Sequence, residues 1–314
     1  RNAELRAAHQ KVAYYRGIQL INAGAMKEAQ ELFKESQSFA VSDQLLALAH
    51  YWTAEALYRQ KEYNKAIDSY RRFRESPGAA GTSEFILAVY DQAYAHYRLK
   101  EWETAAALFR SFNESYDLED GVHSDARIRA ADCYFMQSRY RVASAHYQEA
   151  SEKNSREADY ALFQLANCLG LLGDDQEKID VLMKLKNTHP DSRYLAEAAY
   201  ERANTLLKLD RSEEALLDFS NFRQAHPEHP LVRMALLNEG LAFRNTGALE
   251  NAVQRLREVV ERYPATQEAT EAISFARLVY SDLGQIDRYI DWVESIDFAN
   301  VQEAKLDSTL YSSA

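Results

Sequence analysis

An alanine followed four residues later by a large apolar side chain recurs along this chain at nearly constant intervals, and that recurrence constrains the fold more than any other feature. It surrounds Ala29 ("KEAQELF"), Ala66 ("NKAIDSY"), Ala105, Ala143, Ala215 and Ala252, and the same register falls on Lys178 and Tyr289. The steps between these anchors are 37, 39, 38, 35, 37, 37 and 37 residues. The residues four positions on are Phe33, Tyr70, Phe109, Tyr147, Leu182, Phe219, Leu256 and Val293. Positions i and i+4 share one helix face. A small residue there admits a second helix backbone, and the bulky one fills the space beside it. Self-similarity at such a period marks an array of one supersecondary unit.

A second small residue precedes each anchor by twelve: Gly17, Ala54, Ala93, Ala131, Ala166, Ala203 and Gly240. Three residues further on, Leu20, Leu57, Tyr134, Leu169, Leu206 and Phe243 supply a larger apolar group. Between the two patterns falls a short turn, marked by Gly24, Gly173, Gly247 and Gly284. Each unit is therefore predicted to be two helices packed through small residues. Units are separated by "HPDS" at 189, "HPEH" at 226 and "YPAT" at 263. Proline ends the preceding helix, and Ser192 or Thr266 is expected to cap the next. Longer connections begin at Glu75 ("ESPGAAGTSE") and Asn113 ("NESYDLEDGVHSD") and read as loops between units.

Composition agrees with this reading. Only 5 prolines and 10 glycines interrupt 314 residues, so helix breakers are scarce. The net charge of −11 is spread along the chain, which argues against a nucleic-acid partner, because phosphate binding needs a concentrated basic surface. Residues 285–314 hold six carboxylates and two basic groups. No apolar run is long enough to span a membrane. The chain opens on Arg1 without an initiator methionine and reads as a piece of a longer protein.

Candidate chemistry is sparse. Cys133 and Cys168 occupy equivalent positions in adjacent units, hence about 8–10 Å apart. A disulfide needs α-carbons within about 7 Å, so two buried thiols are expected. "HPEHP" at 226–230 offers His226, Glu228 and His229, but His226 aligns with His189 and Tyr263 of the recurring turn, so no metal site is expected. Asp174–Asp175 and Glu213–Glu214 fall at helix starts, where the dipole favours negative charge. No phosphate loop, nucleophile elbow or dinucleotide fingerprint occurs. No catalytic residue, metal or cofactor is assigned.

The small-xx-large first helix, the alanine-xxx-aromatic second helix and the closing proline together resemble the tetratricopeptide repeat, over almost the whole chain. Departures are Lys178 at one anchor, and Arg277 and Tyr289 in the eighth copy. The steps also exceed the usual 34 residues. The resemblance, nearest to tetratricopeptide proteins of the bacterial cell envelope, implies an all-α, right-handed solenoid in a single domain over residues 1–314. Seven full units are expected at about 10–46, 47–85, 86–123, 124–158, 159–195, 196–232 and 233–269, a degenerate eighth at 270–300, and an acidic tail at 301–314.

In this family the first helices line a concave groove. Carried over unit by unit, the groove positions are Tyr14, Tyr51, Tyr58, Tyr90, Tyr94, Tyr97, Phe135, Tyr160, Phe163 and Tyr200, with Arg59 and Arg98 following two of them. The resemblance implies that Asn167 and Asn204 grip an extended partner backbone. Relatives that clamp acidic tails place a lysine where Phe163 and Tyr200 stand, so that ligand class is not expected. The expected function is a non-catalytic scaffold holding a protein or peptide on a tyrosine-rich groove. Its alternatives are a structural or oligomerisation segment of a larger envelope protein and a small-ligand accessory module. A periplasmic or outer-membrane-associated location is expected, with a cytoplasmic one open.

Overall fold

In the computed structural model, residues 2–116, 118, 120–152 and 156–297 are described. The acidic tail at 301–314 and the last residues of the eighth unit lie outside them. All regular structure among the described residues is α-helical, in sixteen helices that follow one another as eight hairpins. The first helices are α1 (Asn2–Asn22), α3 (Asp43–Arg59), α5 (Glu84–Arg98), α7 (Gly121–Met136), α9 (Ala158–Leu172), α11 (Leu195–Lys208), α13 (Val232–Asn245) and α15 (Gln267–Asp282). Their partners are α2 (Met26–Phe39), α4 (Tyr63–Glu75), α6 (Trp102–Ser115), α8 (Tyr140–Glu152), α10 (Asp175–Thr188), α12 (Ser212–Ala225), α14 (Leu249–Arg262) and α16 (Ile286–Glu294). The helices fall into two compact units, residues 1–168 and 169–314, with the division inside α9.

The hairpin contact is the one its residue pattern demands. Gly17, Ala54, Ala93, Ala131, Ala166, Ala203 and Gly240 are all buried, as are the large residues that follow the anchors. A β-carbon at Gly17 would stand 2.6 Å from Phe33, and one at Gly240 would stand 2.7 Å from Leu256. In both cases the small residue of the first helix thus meets the large residue of its own second helix. First helices of neighbouring hairpins also approach one another directly, α1 with α3 and α3 with α5 in one unit, α11 with α13 and α13 with α15 in the other. Side chains on that row are shared between neighbours.

Between the helices of every hairpin the chain turns through one left-handed residue, always five positions before the anchor. Gly24, Gly173, Gly247 and Gly284 hold it in four hairpins; Lys61, Lys100, Ser138 and Asp210 hold it in the others, at φ of 57–64°. The surrounding bonds repeat. Glu62 N–H donates to the Leu57 carbonyl at 2.9 Å and Lys61 N–H to Tyr58 at 2.9 Å; Ala248 and Gly247 do the same to Phe243 and Arg244 at 2.9 and 3.0 Å. This six-to-one and five-to-two pairing satisfies the last carbonyls of the first helix. Backbone geometry is therefore fixed even where no glycine marks it. Thr266 caps α15, accepting from Ala269 N–H at 3.2 Å. Ser192 does not cap α11: its hydroxyl accepts from Tyr194 N–H at 3.2 Å, and the helix begins later, after Tyr194.

Lys178, the charged anchor, is buried and reaches Glu201 of α11 at 2.6 Å. Its stem occupies space opened by Gly170, whose missing β-carbon would lie 3.1 Å from the lysine Cδ. Eight residues before the other anchors stand larger groups such as Ile21, Tyr58, Tyr97, Phe135 and Leu207. Here the volume has moved from the first helix to the second.

Two outcomes are expected. Lys178→Ala should lower thermal stability by about 1–3 kcal/mol through the void it leaves, and adding Gly170→Leu should recover most of it. Lys61→Gly or Lys100→Gly should each raise stability by about 0.5–1 kcal/mol by relieving the left-handed backbone. Glu31→Gly, inside α2, should lower it by about 1 kcal/mol.

Candidate functional site

Several tyrosines of the first helices have their hydroxyls engaged by carboxylates of a neighbouring hairpin. Tyr51 on α3 donates to Asp91 Oδ2 on α5 at 2.8 Å. Tyr90 on α5 donates to Asp125 Oδ2 on α7 at 2.8 Å, and Tyr94 donates to the same oxygen. Tyr97 reaches Asp132 Oδ2 on α7 at 3.5 Å. Tyr160 on α9 comes back to Asp132 Oδ1 at 2.9 Å, and Tyr147 on α8 reaches that oxygen at 2.6 Å. Arg129 lies among them, at 3.1 Å from Asp125, 2.5 Å from Asp132 and 2.5 Å from Glu157. A phenol–carboxylate ladder thus joins the first helices of consecutive hairpins in the first unit.

The rings themselves stack edge-on against the second helices. Tyr94 lies 5.2 Å from Phe109, Tyr97 lies 5.2 Å from Trp102, and Tyr90 and Tyr94 are 5.0 Å apart. Edge-to-face pairs are the favoured geometry for such quadrupoles. Tyr51 is buried, whereas Tyr58, Tyr90, Tyr94 and Tyr97 are half-buried. Tyr58 accepts from Arg98 Nε at 3.3 Å and packs against Tyr63; Arg59 is exposed, 3.8 Å from Glu55. Tyr14 is buried beside Phe33, and Phe135 is half-buried against Tyr140.

Phe163 and Asn167 are half-buried on α9, and the Asn167 amide donates to Gln164 at 3.2 Å. In the second unit Tyr200 is buried, and Asn204 lies one turn on. Both are tied by Asn238 of α13, which donates to the Tyr200 hydroxyl at 3.2 Å and to Asn204 at 3.3 Å. Of the predicted groove positions in the first unit, Tyr90, Tyr94, Tyr97 and Tyr160 are joined through Asp125, Arg129 and Asp132. Tyr51 pairs instead with Asp91 and Tyr58 with Arg98, while Tyr14, Phe135, Phe163 and Asn167 stand outside that ladder. The second unit has a separate Tyr200–Asn204–Asn238 group. Asp91, Asp125, Arg129, Asp132 and Asn238 escaped the sequence reading. Their signal was a polar residue 31–40 positions after a tyrosine, about one repeat later.

Electrostatics follow from this burial. Desolvation and the neighbouring aspartates raise the phenols of Tyr51, Tyr90, Tyr94, Tyr147 and Tyr160 well above their ordinary range. Burial works against the Arg129 charge, but Asp132 and Asp125 hold it firmly cationic. Asp91 differs, because among the described residues no cationic side chain lies within 4.0 Å of it. Desolvation, then the adjacent Glu55, push its carboxyl up to about 7, although the Tyr51 hydroxyl counters them. Cys133 and Cys168 are buried free thiols raised to about 12 by burial. Among the described residues no three His, Cys, Asp or Glu side chains are grouped to hold a metal ion, and no helix is long and apolar enough to cross a membrane.

Two forms of the tetratricopeptide repeat match this sequence, one over residues 39–80 and 200–266, the other over 87–117 and 160–192. Together they account for more than half of the chain. The protein belongs to the tetratricopeptide repeat family. Among curated proteins it is 29% identical over 113 residues to the outer membrane protein assembly factor BamD of Neisseria gonorrhoeae, covering 30% of this chain and 42% of that protein. The Caulobacter vibrioides factor of the same name is 26% identical over 108 residues, covering 32% and 35%. The chain thus spans under half the length of these relatives. Among solved structures, the C-terminal part of a repeat protein from Cytophaga hutchinsonii superposes with a TM-score of 0.65 at 9% identity, over 82% of this chain and 98% of that one. A Parabacteroides merdae repeat protein gives 0.52 at 15% identity, covering 87% and 99%. YrrB, described as having an unusual peptide-binding site, gives 0.51 at 19%, covering 65% and 96%.

The raised Asp91 carboxyl makes stability pH-dependent with a definite sign. A carboxyl whose folded value lies above its unfolded 3.8 contributes stability that is fully present below 3.8 and lost as pH rises through about 7. Asp91→Asn should therefore be more stable than wild type at pH 8, with the advantage shrinking toward pH 5. Urea midpoints of both chains measured across that range test this, and parallel curves would refute it.

Proposed function

We propose that this protein is a non-catalytic scaffold that holds a peptide or protein segment on the aromatic row of α3, α5 and α7. The observation that carries this reading is the half-buried set Tyr58, Tyr90, Tyr94 and Tyr97. Three of these rings are fixed in orientation by hydroxyl bonds to Asp125 and Asp132. Aromatic groups already ordered before contact lose little entropy on binding, and they are the side chains most enriched at interface hot spots. The peptide-binding description of YrrB supports the same use of this fold. Asn167 in the first unit and Asn204 in the second offer amides to an extended backbone. The BamD resemblance favours a role at the bacterial envelope, in the periplasm or at the outer membrane.

The small-ligand alternative finds less support. A cleft in the second unit, walled by Leu182, Met183, Ala199 and Phe222 with Arg202 and Asp218, has a volume of about 220 Å³. Small-molecule sites are usually about 300–1,000 Å³ and mostly apolar. A second cleft, of about 580 Å³ between Asp210–Glu214 and Asn245–Thr246, has the volume but is open and lined by polar groups.

Peptides selected from a displayed random library on the 314-residue chain provide the test. Tyr94→Ala with Tyr97→Ala should weaken a selected peptide at least tenfold, about 1.4 kcal/mol, while far-ultraviolet circular dichroism stays unchanged. Unchanged affinity, or loss of folded signal in the variant, would count against the row as a binding surface.

A further inference from the structure

The sign of charge behind the aromatic row selects what it can receive. Along α3 and α5, Glu55 keeps 17% of its side chain exposed, Asp91 is set deeper with only its edge toward the surface, and Glu84, half-buried, acts electrostatically on Tyr51. Their neighbours are phenols: Tyr70 donates to Glu55 at 2.5 Å and Tyr51 to Asp91 at 2.8 Å. The nearest cation, Arg59, lies 3.8 Å from Glu55 with 45% of its side chain exposed, and Arg98 is directed to the Tyr58 hydroxyl. Further along, Asp125, Asp132 and Glu157 share a single guanidinium, that of Arg129. The α3–α5 end of the row therefore combines half-buried tyrosines with two carboxylates: Asp91, with no cationic side chain of the described residues within 4.0 Å, and Glu55, with only the exposed Arg59. A cationic head group meets both needs at once, because ring faces attract it through their quadrupole and the carboxylates pair with it.

We infer that the segment held on this row is basic, and that a lysine or arginine of the partner is received at Glu55 and Asp91 beside Tyr58 and Tyr94. This rests on the scaffold reading above and names the partner's chemistry. A peptide of net negative charge is refused by the same carboxylates. The chain supplies the anionic half of the contact, and the partner supplies the cationic half.

The test uses three fluorescent twelve-residue peptides with identical apolar spacing, carrying lysine, serine or glutamate at the intervening positions. Anisotropy is measured with the full 314-residue chain at pH 8. The lysine peptide should bind at least tenfold tighter than the serine peptide, and the glutamate peptide more weakly than both. Glu55→Gln with Asp91→Asn should abolish the lysine preference, the lysine and serine peptides then binding within twofold of each other. Glu28→Gln with Glu103→Gln, an equal charge change on the exposed faces of α2 and α6, should leave the preference intact. Equal binding of all three peptides would overturn the inference while the scaffold reading stands. So would a lysine preference that survives in the Glu55/Asp91 variant or vanishes in the control. If none of the peptides binds, the scaffold reading fails and this inference falls with it. The comparison among peptides on the wild-type chain needs no variant to fold.

Discussion

The hairpins within each unit depend on one contact: a glycine or alanine on the first helix beside a large side chain on the second, with Arg277 breaking the pattern in the last copy. Where the small residue is Gly17 or Gly240, Phe33 or Leu256 sits where a β-carbon would otherwise be. That proximity sets how closely the two helices pack. A single hairpin cannot bury its apolar stripe, so stability comes from neighbours stacked at a regular spacing. The fifth hairpin shows how far the rule bends. Lys178 replaces the anchor alanine only because Gly170 has surrendered the equivalent volume, and Glu201 receives the charge.

A second layer is polar and runs between hairpins. Asp132 accepts from phenols on α5, α8 and α9 and pairs with Arg129, so one carboxylate ties several helices together. Buried polar networks of this sort are stabilising only when every member is satisfied, and here each phenol has a carboxylate while Asp125, Arg129 and Asp132 have three or more partners each. The network also fixes the orientation of the half-buried rings of Tyr90, Tyr94 and Tyr97.

The hairpins were legible in the sequence because their determining pairs are local. The small residue, the anchor and the large residue fall within seventeen positions, as from Gly17 to Phe33, and helical periodicity exposes them directly. The left-handed turn was half legible, through Gly24, Gly173, Gly247 and Gly284. Lys61, Lys100, Ser138 and Asp210 adopt the same backbone without a residue that announces it. Tyr51 and Tyr94 were visible as groove positions, yet what their hydroxyls do was hidden. Their partners, Asp91 and Asp125, lie 40 and 31 residues away on the next first helix. The irregular offset, against repeat steps of 35–39, blurs any fixed-period search for such pairs.

The phenol ladder has an optical consequence. A chain with 20 tyrosines would ordinarily gain phenolate absorbance in one broad wave near pH 10. Here burial and the neighbouring carboxylates raise Tyr51, Tyr90, Tyr94, Tyr147 and Tyr160 above that range, so these phenols lag behind the exposed ones and are released to ionise as their packing opens. Alkaline titration of this protein thus contains its own unfolding signal. The late wave of ultraviolet absorbance reports the parting of neighbouring hairpins, with no label attached.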